Sequence, residues 1–293
     1  MHLVPTLGAR KLADLSPLDI EEAKRYWLTE GSKRTKGKGL HPRTVHHHLA
    51  VLHDALAQAV RWRLLVLNPC DAVAPVKVPK HKPTALDTDQ AARLVELLSG
   101  HEYEYIFRLA LGTGMRPGEY VALRWADVDF KARRLVVQQG LWQVTRRDMR
   151  VVGVKSHRSE RPIALVDDEV ALLLQQRRAQ AAARLAAAEW EDNGLVFTDG
   201  QGGPIDQYRL RRTFKRLLEG AGLPVVNLYS LRRTMASIMH ALGVPPKVIA
   251  SRMGHTDTQV LFRHYIKEFD AQDREAAESM AAALRAARRG SRP

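Results

Sequence analysis

The run YSLRRTMASIMHALGVPPKVIASRMGHTDTQVLFRHY, from Tyr229 to Tyr265, leaves the chain few ways to fold. Leu231, Met235, Ile238, Met239 and Leu242 recur at helical spacing, Gly243 stops that helix, and Pro245-Pro246 starts the next. The second helix carries Val248, Ile249 and Met253, ends at Gly254, and delivers His255 into a short turn before a third helix. On that third helix Leu261, Phe262, Tyr265, Ile266 and Phe269 form an apolar stripe, so by pattern alone Tyr265 is an ordinary core tyrosine. The two tight turns nevertheless gather an arginine, a histidine and a tyrosine.

That gathering has a chemistry. Arg232 and Arg233 lie in the first turn of a helix, where a planar, permanently charged fork stands beside the amide-rich end that suits a phosphate. A phenol is a poor nucleophile until its pKa falls or a neighbour takes its proton. Cationic donors around a phosphate also neutralise the charge that builds during attack. Arg232, His255 and Tyr265 together therefore suit phosphoryl transfer to a tyrosine. His264 falls on another face of the helix and is left out.

Charge points to the same partner. Lys and Arg number 46 against 32 Asp and Glu, a net charge of +14, which calls for a polyanion. Cys70 is the only cysteine, so no internal disulfide framework is available and a reducing cytoplasm fits. No apolar run reaches the ~18 residues of a membrane helix. The start, MHLVPTLGARKL, is too short and too broken by Pro5 and Gly8 for a signal peptide. His46, His47 and His48 point around a helix in different directions and cannot converge on one ion, so no metal site is expected. No phosphate-cradling Gly-Lys-Ser loop is present, and no cofactor is expected.

The chain divides into two domains. Residues 1–79 read as helical: Ser16 caps a helix with Ile20, Ala23, Tyr26 and Trp27 on its apolar side, and Pro42 starts another with Val45, Leu49, Leu52, Leu56 and Val60. Arg43 opens that second helix as a candidate DNA contact. Four prolines from Pro69 to Pro83, interspersed with lysines, form an extended connector, with residues 80–84 as the linker proper. In residues 85–293 a helix through Ile106 and Phe107 ends at glycines that set Arg116 at a turn, TGMRPGE. DVDF, RRLVVQQGLWQV and RPIAL then predict one small antiparallel sheet, with Lys155 in the basic turn before its last strand. An alanine-rich helix over DEVALLLQQRRAQAAARLAAAEW follows. QYRLRRTFKRLLEGAGL is a further helix whose Arg209 and Arg212 are candidate DNA contacts, with a solvated basic face as the alternative. The fold class is mainly α with a small antiparallel β-sheet.

These pieces resemble the tyrosine recombinase, or phage integrase, family. TGMRPGE with Arg116, GVKSHRSERPIAL with Lys155, YSLR with Arg232, MGH with His255 and FRHY with Tyr265 occur in the family's order. One position departs: Tyr229 stands where the family has the His of His-x-x-Arg, which keeps a hydrogen-bonding group and loses imidazole acid-base capacity. Tyr229 is therefore placed with the DNA contacts. The resemblance implies a SAM-like core-binding domain in residues 1–79, N-terminally incomplete, and an α+β catalytic domain in residues 85–293. It also implies site-specific recombination of double-stranded DNA through a 3′-phosphotyrosine. Tyr265 would be the nucleophile, Arg116, Arg232 and His255 the holders of the non-bridging oxygens, and Lys155 the donor to the leaving oxygen. A homotetramer assembled on DNA and an accessory DNA-bending or directionality protein are the expected partners, in the cytoplasm at the nucleoid. A type IB topoisomerase, a non-catalytic helix-turn-helix regulator and an inactive truncated integrase stand as alternatives.

Overall fold

Ser16 and Asp19 begin the first long helix by exchanging bonds. The Ser16 hydroxyl accepts the Asp19 N–H at 3.3 Å and the Asp19 carboxylate accepts the Ser16 N–H at 3.0 Å, which satisfies two donors the helix start leaves open. The structure is a computed structural model and describes residues 2–32, 35, 37–79, 85–143, 145, 148–153, 160–254 and 280. The chain forms two units, Met1–Lys82 and Pro83–Pro293.

In the first unit α1 spans Leu3–Leu7, α2 Pro17–Thr29 and α3 Pro42–Arg61. The short α1 tolerates Pro5 because the first helical turn has no intrahelical partner for that missing N–H. Ile20, Ala23 and Trp27 line one face of α2, and Trp27 packs against Val45 of α3 while its indole N–H donates to Thr6 Oγ1 at 3.1 Å. Tyr26 was expected on that face and is instead 48% exposed, one helical step away from the stripe. His46 and His47 are exposed.

The second unit runs α4 (Thr88–Leu97), α5 (Glu104–Thr113), α6 (Pro117–Val121), β1 (Val128–Asp129), β2 (Arg134–Val137), β3 (Gln139–Gln143), β4 (Met149–Gly153) and β5 (Arg161–Ala164). It continues through α7 (Asp167–Ala186), α8 (Gln207–Gly220), α9 (Tyr229–Ala241) and α10 (Pro246–Met253). The strands do not make one sheet. β1, β2 and β5 pair in that order, and β3 pairs with β4, all antiparallel. The break falls at Gln138, between β2 and β3, and the Gln139 side chain donates to the Ala122 carbonyl at 2.6 Å. Among the described residues β4 and β5 are not paired with each other; Lys155 falls between them, outside the described residues. The alanine-rich helix also ends early, at Ala186, with Ala187 extended.

One core closes this unit. Phe107, Leu109, Leu135, Ile163, Leu173, Phe214 and Leu231 are buried together, with the Phe107 and Phe214 rings 5.0 Å apart. Met235 and Ala236 of α9 meet Ile249 and Met253 of α10 in a smaller cluster. The Leu86 N–H donates to Thr234 Oγ1 at 3.0 Å and so fastens the strand-like entrance to α4 onto α9. No helix among the described residues is long and apolar enough to cross a membrane, and no three of their His, Cys, Asp and Glu side chains gather as a metal site.

Candidate active site

A helix leaves its last carbonyls without intrahelical donors, and they form the negative end of its dipole. In α10 those carbonyls belong to Arg252 and Met253, with Gly254 following, and each of the three accepts a guanidinium from a different element. Arg161 of β5 donates Nε to the Arg252 carbonyl at 2.9 Å. Arg232 of α9 donates Nη2 to the Met253 carbonyl. Arg116, the residue before α6, donates Nη2 to the Gly254 carbonyl at 3.3 Å. His255 is the next residue in the chain. Arg252 adds a fourth anchor, donating to the Ala164 carbonyl at 3.1 Å and the Gly112 carbonyl at 3.0 Å.

Glu119 sits among these cations. Its Oε1 accepts Arg116 Nη1 at 2.7 Å and Arg161 Nη1 at 3.2 Å. Its Oε2 accepts the Arg116 N–H at 2.8 Å and Arg161 Nη2 at 2.7 Å, which fills the lone-pair sites of a carboxylate. Burial alone would raise the Glu119 pKa, but the Arg161 hydrogen bonds and charge, with help from Arg116, hold it below its ordinary value. Two guanidinium groups thus share one carboxylate.

Arg232 is the most enclosed of them, with 0% exposure. Its Nη1 donates to the Gly114 carbonyl at 2.8 Å, and its Nε has no acceptor among the described residues. Burial and then the neighbouring Arg116 charge pull its pKa down to about 10, so it stays cationic at neutral pH. It does lie in the first turn of its helix, as the sequence implies. Its fork, however, reaches the carboxyl end of α10 and the turn before Arg116 instead of the amides of its own helix.

The structure therefore brings Arg116 and Arg232 together at one point. Lys155, His255 and Tyr265 lie outside the described residues. Tyr229 begins α9, half-buried, with the Arg233 guanidinium 5.3 Å from its ring centre. Arg209 and Arg212 are exposed on α8; Arg209 pairs with Glu102 at 3.1 Å and lies 6.0 Å from the Tyr103 ring centre. Arg43 is exposed at the start of α3 in the first unit. Sequence reading passed over Glu119 and Arg161. The signal for Glu119 was its place three residues after Arg116, the capping-box spacing. For Arg161 it was the strand period, since Arg161, Ile163 and Leu165 share one face, all nearly fully buried.

Comparison with known proteins follows from this geometry. The model of the phage integrase family matches residues 84–272. A tyrosine recombinase XerC-like protein of Caldanaerobacter subterraneus subsp. tengcongensis is 30% identical over 240 residues, covering 76% of this chain and 61% of that protein. The chain thus spans less than two thirds of that relative's length. An integrase of Streptomyces ambofaciens is 31% identical over 283 residues, 91% of this chain and 68% of that one. Among solved structures, the Tn1549 transposon integrase in complex with a circular intermediate DNA superposes with a TM-score of 0.77 at 19% identity, covering 94% of this chain and 88% of that one. This last likeness bears on the fold. With the family match extending over most of the second unit and both described arginines at one helix end, the chain belongs to the phage integrase family.

Proposed function

We propose that the chain is a site-specific DNA recombinase that cleaves and rejoins strands through a covalent link between Tyr265 and a 3′-phosphate. The observation that carries this reading is the convergence of Arg116, Arg161 and Arg232 on the end of α10, with the Glu119 carboxylate joining Arg116 to Arg161. A cluster so rich in cations favours an anion, and a backbone phosphate supplies oxygens that replace carbonyls as acceptors. The Tyr265 hydroxyl releases its proton to solvent as its oxygen attacks phosphorus while the bond to the 5′ oxygen breaks, and Lys155 gives that oxygen a proton. Arg116, Arg232 and His255 stabilise the non-bridging oxygens. A 5′-hydroxyl from another strand reverses the step and returns the proton. One phosphate ester replaces another at each stage, so the exchange balances without nucleotide hydrolysis.

Residues 1–79 serve in this reading as a core-binding domain, 80–84 as a linker and 85–293 as the catalytic domain. Arg43, Arg209, Arg212 and Tyr229 contact DNA. Two duplexes exchanged strand by strand need four tyrosines, hence a homotetramer assembled on DNA, working at the nucleoid in the cytoplasm with an accessory bending or directionality protein. The test is a supercoiled plasmid carrying two copies of a junction of the DNA element that encodes the chain. Recombinant circles support the proposal, relaxed circles without exchange indicate a topoisomerase, and bound but unaltered plasmid indicates a regulator.

A further inference from the structure

We infer that Arg161 is a positioning residue for strand cleavage, holding Arg116 and the chain that leads into His255 in one fixed relation through Glu119 and the Arg252 carbonyl. The inference rests on the recombinase reading. Arg161 occupies an inward register position of β5, opposite Val137 of β2, and is 5% exposed. Its planar fork sends Nη1 and Nη2 to the Glu119 carboxylate and Nε to the Arg252 carbonyl, acceptors that belong to α6 and α10. Glu119 in turn holds Arg116 by both its side chain and its backbone N–H.

Backbone packing reinforces the arrangement. A Cβ at Gly254 would lie 2.8 Å from Arg161 Cδ and 2.9 Å from its Nη1, so the chain at Gly254 rests directly on the Arg161 side chain. One strand residue thereby serves as the common reference for Arg116 and for the end of α10 at Arg252 and Gly254. For stability alone an apolar pair of similar volume would serve as well as a buried ion pair. What an apolar pair does not supply is a set of directed bonds to two elements at once. A lysine lacks them too, because its ammonium is a point charge without the fork.

The experiment measures single-turnover formation of a protein–DNA adduct on a nicked duplex carrying one junction of the encoding element. Rate constant, final amplitude, duplex affinity and thermal unfolding are recorded for the unaltered chain, Arg161→Lys and Arg161→Met. Arg161→Lys keeps a buried cation opposite Glu119 and carries the test should Arg161→Met not fold. The expected result is a rate constant lowered by about 10- to 100-fold in the folded variant, with affinity and amplitude close to those of the unaltered chain. A lowered amplitude with an unchanged rate constant marks a merely structural role and overturns the inference. No adduct from the unaltered chain, while it still binds the duplex, overturns the recombinase reading itself.

Discussion

Replacing Gly254 by Ala tests whether the end of α10 is as firmly held as its bonds imply, and Gly243 provides the control. Both glycines follow helices in left-handed conformation, with φ of +65° and +77°. An L side chain there costs about 1–2 kcal/mol, partly offset by about 0.4–1 kcal/mol from a stiffer unfolded chain. At Gly243 an added Cβ meets nothing within 4 Å, so Gly243→Ala should destabilise by about 1 kcal/mol. At Gly254 the same Cβ falls 2.8 Å from Arg161 Cδ, well inside the ~3.5–4.0 Å of an ordinary contact. Arg161 must then yield while fastened to Glu119 and the Arg252 carbonyl. Loss of one such charge-assisted bond adds about 1.5–3 kcal/mol. Gly254→Ala should therefore destabilise by about 2.5–4 kcal/mol, and at about 2–4 °C per kcal/mol it should lower Tm by roughly 10 °C against roughly 3 °C for Gly243→Ala. Thermal and denaturant unfolding of the two variants decide the matter. Equal losses would mean that Arg161 moves aside freely and that the bonds around α10 do not form a rigid unit.

Acid stability and DNA binding supply further outcomes. Because the folded pKa of Glu119 lies below its ordinary 4.5, its stabilising contribution is complete above that value and fades as pH falls through the lower folded pKa. Acid unfolding of the unaltered chain should thus contain a loss that Glu119→Gln lacks, and parallel stability curves between about pH 5 and pH 2 would refute the assignment. Arg212 is exposed on α8, and Arg212→Ala should weaken duplex binding evenly across sequences while reducing the slope of log K against log salt by about 1. Arg209→Ala should weaken binding less, since Arg209 must first leave Glu102 at 3.1 Å; salt titrations that rank the two the other way would contradict this.

The helices around Arg232 were legible because glycine and proline punctuation and a helical apolar period agree there. Ser16 and Pro42 likewise announced the helices they begin. The division of the strands was not legible, because Leu135, Val137 and Leu141 continue one alternation although β2 ends at Val137 and β3, from Gln139, pairs with β4 instead. The inward arginine was hidden for another reason. Arg161 stands in a stretch crowded with arginines, and the alternation it shares with Ile163 and Leu165 is too short a run to single it out before its burial beside β2 is seen. The carbonyl partners of Arg116, Arg161 and Arg232 could not be read either, since backbone acceptors leave no trace in side-chain patterns.

The central claim is that Tyr265 becomes covalently joined to DNA. The unaltered chain and Tyr265→Phe should be incubated with the nicked junction duplex, denatured, and resolved on a gel, with the linked residue mapped by mass spectrometry. The account predicts an adduct from the unaltered chain alone, with a 3′-phosphate on Tyr265. An adduct that persists in Tyr265→Phe, or a duplex bound in salt-sensitive fashion by the unaltered chain yet never joined to it, would contradict it.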